Sequence, residues 1–215
     1  MIRIREVTTY NWLNAIYGMR NSWESWDKSD SRVLPNGRFK MGDNDLELAL
    51  KLSKAGNSHA KFLRQIFVSM VITAPEYWWR EYNTYKVGTV ENSTSQMHKL
   101  GSWYVTVRDF SFDDPDDPFN VETVERVNRL IEAWWAAGKR KPSPEWRKLL
   151  QNIPQSYNYL RTCTLNYQVL KNIYHDRKNH RLQEWRDFCA WIETLPYAEL
   201  ITLGPSKPSN IPAIA

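Results

Sequence analysis

Between Thr84 and His98 the chain reads Thr-Tyr-Lys-Val-Gly-Thr-Val-Glu-Asn-Ser-Thr-Ser-Gln-Met-His, a run dense in hydroxyls and amides with a single lysine. Hydroxyl, amide and ammonium donors in one stretch can hold a phosphate or the amide edge of a ring, and a solvent-exposed loop would have the same composition. Further on, Asn166 and Asn172 stand six residues apart on an expected helix. That spacing is about 600° of rotation, so the two amides are not in line but both can border one pocket. The alternative is that they face solvent or cap a turn. Arg177 follows on the same segment; its fixed fork of donors suits a carbonyl-edged base, or an ion pair with Asp176 or Glu184.

Other chemistries find no support. There is no phosphate loop, dinucleotide glycine fingerprint or serine nucleophile elbow, and the eight glycines are scattered. Cys163 and Cys189 are too few for a disulfide framework or thiolate zinc site, and both are expected reduced and buried. The four histidines include no pair spaced for one helical face, so no metal is expected.

Lysine and arginine number 29 against 24 acidic residues, a formal charge of +5. From Glu145 to Ala190 eight basic residues face four acidic ones, so the carboxyl-terminal third is cationic and suits phosphates of any size, nucleic acid included. Eleven tryptophans and eleven tyrosines could stack on bases, although most lie at helical spacings that suit a core. No uncharged apolar run of about 18 residues exists and the first ten residues lack a signal-peptide pattern; a soluble, cytoplasmic protein without membrane contact is expected.

The elements that must position these residues read as α+β, mostly helical. Apolar periodicity predicts helices over 9–20, 76–85, 121–137, 144–150, 166–177 and 182–195. A further helix, capped by Asp43 or Asp45, should stop near Gly56. Alternation and β-branched residues predict strands over 64–73 and 103–112, and 157–165 reads as extended. Residues 21–42, with a turn at Pro35-Asn36-Gly37, and 88–97 read as loops, and the acidic run DDPDDP (113–118) as a solvated turn. One domain is expected over 1–203, with a Pro-rich tail over 204–215.

Taken together, these motifs resemble the flavin-dependent thymidylate synthases, whose signature is Arg-His-Arg, two residues, Ser, one residue, Asn-Glu, one residue, Ser, one residue, Arg-Tyr. Arg20 and Ser22 in MRNSW look like that family's Arg-x-Ser turn, and ITAPEYWWREY, with Arg80, is similar to its strand, Ala-Pro and helix. Ile153-Pro154, YNYLRTCTL, Asn166, Asn172, Arg177 and Gln183 follow its downstream order, so the similarity spans roughly Met19 to Leu195. In the signature itself, Thr84-Tyr85-Lys86 stands for Arg-His-Arg, Thr89 and Thr94 for the serines and Glu91-Asn92 for Asn-Glu. Gln96 and Leu150 stand where the family has arginines.

The resemblance implies a mixed sheet with long helices, a homotetramer with sites composed between chains, and one-carbon transfer to C5 of a pyrimidine deoxynucleotide. FAD would be the cofactor, NADPH and methylenetetrahydrofolate the co-substrates. Ser22, Tyr85, Lys86, Asn166 and Asn172 would meet the flavin, and Arg177, Thr94 and Gln96 the nucleotide. Glutamine for arginine at Gln96 removes a bidentate grip on phosphate worth about 1.5–3 kcal/mol, which points to a nucleotide other than dUMP. The alternative is a non-catalytic scaffold that keeps this fold to bind nucleotide, nucleic acid or a protein partner.

Overall fold

The computed structural model describes residues 2–204. In chain order its elements are β1 (Arg3–Tyr10), α1 (Trp12–Met19), β2 (Arg32–Val33), β3 (Phe39–Lys40), α2 (Asp43–Lys54), β4 (Phe67–Pro75), α3 (Glu76–Tyr82), β5 (Thr89–Ser93) and α4 (Gln96–Lys99). There follow α5 (Pro118–Ala136), α6 (Pro144–Gln151), β6 (Asn158–Asn166), α7 (Tyr167–Arg177), α8 (Gln183–Ile192) and α9 (Glu199–Thr202). Strands β1, β4, β6 and β5 form one sheet in that order, and β2 pairs antiparallel with β3. The architecture is α+β, as expected.

The chain divides into two compact units. The first holds the residues up to Arg5, Val71–Thr84 and Glu91–Thr162; the second holds Glu6–Met70, Tyr85–Val90 and the residues from Cys163 on.

In the first unit, α5 starts where Asp117, the last acid of DDPDDP, accepts the Phe119 N–H and Pro118 occupies the first helical turn. Its buried stripe is Val127, Ile131 and Trp134, which pack against Trp146 and Leu149 of α6. Ser143 and Pro144 start α6 in the same way. Trp78, Trp79 and Tyr82 of α3 are fully buried, with Trp79 Nε1 donating to the Ala74 and Tyr159 carbonyls. The second unit is built on α7, which packs against α8 and α9 through buried residues such as Leu170, Ile173 and Leu200. Trp12 sits there against Phe39, Tyr167 and Tyr197. Cys163 and Cys189 are buried, and neither forms a disulfide among the described residues.

Several expectations need correction. Residues 103–112 are not a strand: one bridge, Phe110 to Tyr157, is all that pairs, and Thr106 and Asp109 form a capping box that diverts the backbone into a turn. The loop expected over 88–97 contains β5 and the start of α4, and 21–42 contains the β2–β3 hairpin around the foreseen turn. Neither Asp43 nor Asp45 caps α2; Gly42 is the cap residue, without a side-chain bond, and Asp45 is fully buried. Asn166 precedes α7 as its cap. The tail, beyond Gly204, lies outside the described residues.

Candidate functional site

In the second unit, one wall of a cleft of about 360 Å³ is a polar stripe on α7: Gln168, Lys171, Asn172, His175 and Asp176. Their spacing of three and four residues places them on one helical face. Opposite stand Ser53, Gly56, Asn57 and Tyr85.

Lys171 is 6% exposed and, among the described residues, is bound to Ser53 alone, with Nζ donating to the Ser53 carbonyl at 2.8 Å and hydroxyl at 2.7 Å. The Ser53 carbonyl belongs to the last turn of α2, so the ammonium satisfies an open helix end. Burial without a carboxylate partner pulls the Lys171 pKa down. Burial also lowers His175, against the Ile201 carbonyl that lies 3.2 Å from Nε2. Gln168 Nε2 donates to Asn172 Oδ1 at 3.0 Å, while Gln168 Oε1 is buried with no hydrogen-bond partner among the described residues. Such an orphaned acceptor is costly and marks a place where a donor is wanted.

Arg177, the last residue of α7, does not line the cleft but bonds to Tyr85, which does. Its Nε donates to Tyr85 Oη at 2.9 Å, and its guanidinium lies 5.7 Å from the Tyr85 ring centre and 5.0 Å from that of buried Trp185. Tyr85 in turn donates to Asp176 at 3.3 Å, and burial raises its pKa.

A second cleft, of about 640 Å³, lies within the first unit. Thr94, Ser95 and Gln96 line it where β5 gives way to α4, and Thr94 N–H is fixed by the Leu160 carbonyl at 2.9 Å. Arg3 and Arg5 of β1, together with Lys99, Trp103, Arg108 and Tyr159, complete much of its lining.

No family model and no curated protein matches the sequence. Solved structures do match the fold. The flavin-dependent thymidylate synthase ThyX from Helicobacter pylori, complexed with FAD and dUMP, superposes with TM-score 0.70 at 16% identity over 92% of this chain and 97% of its own. A second H. pylori ThyX structure with FAD and dUMP gives 0.70 at 17% identity, over 94% and 96%. The chain has the fold of the flavin-dependent thymidylate synthases. A UMP/dUMP methylase, PolB from Streptomyces cacaoi, bound with 5-Br dUMP, also shares it, with TM-score 0.63 and 14% identity over 93% of both chains.

On this thymidylate synthase fold the eight residues singled out from the sequence fall into separate places. Tyr85 and Asn172 line the α7 cleft and Arg177 bonds to Tyr85. Thr94 and Gln96 line the cleft of the first unit. Ser22 lies in a different groove of the second unit, beside Arg20 and His59. Lys86 is exposed and lines none of these three. Asn166 is buried as the α7 cap, its Oδ1 accepting the Val169 N–H at 3.0 Å.

The residues that sequence reasoning passed over are Gln168, Lys171, His175 and Ser53 in one cleft, and Arg3, Arg5, Lys99 and Arg108 in the other. The α7 stripe was readable as polar residues at helical spacing opposite Leu170 and Ile173. The four cations come from three separate segments, Arg3 and Arg5 sharing β1, and no local pattern joins the three.

Proposed function

We propose that the chain carries out flavin-dependent transfer of a one-carbon unit to C5 of a pyrimidine deoxynucleotide. FAD is the cofactor, NADPH the reductant and methylenetetrahydrofolate the carbon donor, in a cytoplasmic homotetramer. The observation that carries this reading is the α7 cleft, found on a fold whose ThyX representatives were solved with FAD and dUMP.

The residues present fit a flavin ring. Gln168 and Asn172 both line the cleft, and their amides carry the acceptor and donor capacity that the imide edge of such a ring requires. A cleft of about 360 Å³ is near the lower end of small-molecule sites, which run from about 300 to 1,000 Å³. When bound, the flavin supplies the hydride chemistry. Lys171 sets a positive charge in the cleft wall, and Tyr85, held by Arg177, offers a ring edge and a hydroxyl. Arg177 orients pyrimidine carbonyls, Thr94 and Gln96 contact the nucleotide, and Ser22, Lys86 and Asn166 complete the cofactor contacts of this proposal.

A second reading, a scaffold that binds nucleotide without turnover, is favoured by Gln96 and by Leu150, which packs against the hydrophobic core of the first unit instead of presenting a cation. An FAD titration followed in the flavin's visible bands, then by dUMP, separates the two. The first reading expects a saturable spectral shift, a further change with nucleotide, and about tenfold weaker FAD binding in Gln168→Leu, the upper worth of a neutral hydrogen bond. Nucleotide binding with no flavin shift at any concentration would leave only the scaffold.

A further inference from the structure

The cleft of the first unit carries more charge than one phosphate uses. Arg3, Arg5, Lys99 and Arg108 line it, and among the described residues none of the four is ion-paired. Its one lining carboxylate, Asp109, accepts from Thr106 N at 2.8 Å and Thr106 Oγ1 at 3.1 Å, which ties it to the local turn. Four cations against one acid leave the wall at a formal +3.

A phosphate monoester brings about two negative charges on one compact group, and sites built for it converge fork donors and backbone N–H groups on a point. Here the cations are dispersed. Arg3 and Arg5 are two residues apart on β1, so they share a face with their Cα atoms about 6.6 Å apart, a spacing that suits successive phosphates better than one. The same wall presents Trp103 at 69% exposure, with the Lys99 ammonium 5.7 Å from its ring centre, and Tyr157 and Tyr159 beside it. The exposed Trp103 ring set among these cations forms a stacking platform along a charged track, which engages bases only when they are unpaired.

We propose that this cleft binds its pyrimidine as part of a single-stranded oligonucleotide, with Arg3, Arg5, Lys99 and Arg108 on the phosphates and Trp103 stacked on a base. The inference rests on the part of the proposed function that gives Thr94 and Gln96, which line this cleft, to the nucleotide, and it needs no flavin.

Fluorescence anisotropy of labelled twelve-residue oligo-dT, with unlabelled dUMP and a twelve-base-pair duplex as competitors, provides the test. Single strands lose about 0.7 in log–log salt slope per phosphate neutralised, so four contacts give a slope of about −2.8. The double variant Arg3→Gln/Arg5→Gln should bring it to about −1.4, and Arg108→Gln alone to about −2.1. Trp103→Ala should weaken binding about tenfold with the slope unchanged. All these side chains are exposed, so each variant should fold, and its circular dichroism spectrum, compared with that of the unaltered chain, checks this. Displacement of the oligonucleotide by an equal concentration of dUMP, or by duplex as readily as by single strand, overturns the inference and leaves the pyrimidine reading intact. A slope indifferent to the arginine variants does the same. Failure of oligo-dT and dUMP alike to bind removes both.

Discussion

Asp45 is fully buried yet remains ionised. Burial pushes its carboxyl up, but hydrogen bonds from Ser31 and Ser29, then the Arg20 guanidinium at 2.6 Å, outweigh it and the pKa ends below the ordinary value. The backbone N–H groups of Asp30 and Ser31 add to the set, so one carboxylate holds residues 29–31 and Arg20 against α2. Breaking such a pair from one side strands the other charge, and Asp45→Asn should lose about 3–5 kcal/mol in urea unfolding at pH 7. A group with a lowered folded pKa gives its stability in full above the unfolded value, 3.8, and loses it as pH falls through the folded one. The variant should therefore also show a flatter acid limb; a loss under about 1 kcal/mol would reject this account. From sequence alone Asp45 looks like a cap, because an acid near a helix start has the same local signature in either role. Its partner Arg20 is 25 residues away, and the resemblance drew attention to that arginine for another reason.

The elements with strong periodicity, α5 and β4, were legible because one face of each is buried and the pattern records it. The failure at 103–112 has the same physics reversed: Trp103 and Tyr104 alternate as strand residues do, but at 69% and 51% exposure they answer to no neighbouring strand. Asn166 and Asn172 show how far one element can divide two similar residues. Asn166 is 7% exposed and caps α7; Gly88, at φ +83°, approaches so closely that a Cβ there would lie 2.7 Å from Asn166 Nδ2. Asn172 is exposed, its Oδ1 bonded within the helix to Gln168. Asn166→Ala should then lower stability by about 1 kcal/mol, the usual worth of a cap, while Asn172→Ala stays within about 0.5 kcal/mol. Thermal denaturation of the two variants compares them directly, and equal losses would contradict the capping assignment.

For the molecule as a whole, no local motif could have shown that Thr94 and Gln96 belong to one compact unit while Tyr85, Asn172 and Arg177 belong to the other, since that division is made by contacts distant in sequence. The same long-range burial sets the alkaline response. Burial raises Cys189 from 9.0 to about 12, and it raises Tyr157, Tyr159 and Tyr167 from 10.0. Tyr174 rises to about 12, chiefly because its hydroxyl donates to Glu193 at 2.6 Å. For each of these the unfolded chain gives up its proton first, so the folded state binds more protons and stability falls as pH climbs past the unfolded values. Lys171 acts in the opposite sense: its lowered pKa penalises folding while it is charged in both states, and that penalty is relieved as pH rises through its folded value. With Tyr85 and Tyr104, which are raised too, six tyrosines and a thiol against one lysine settle the direction. The urea midpoint should rise up to about pH 6.5, as the same kind of penalty is relieved at His175, hold level to about pH 8 and fall between pH 9 and about 10.5. Lys171→Met, which removes the opposing contribution, should steepen that fall, and a midpoint that holds or climbs to pH 10.5 in the unaltered chain would show that the buried hydroxyls and the thiol do not govern it.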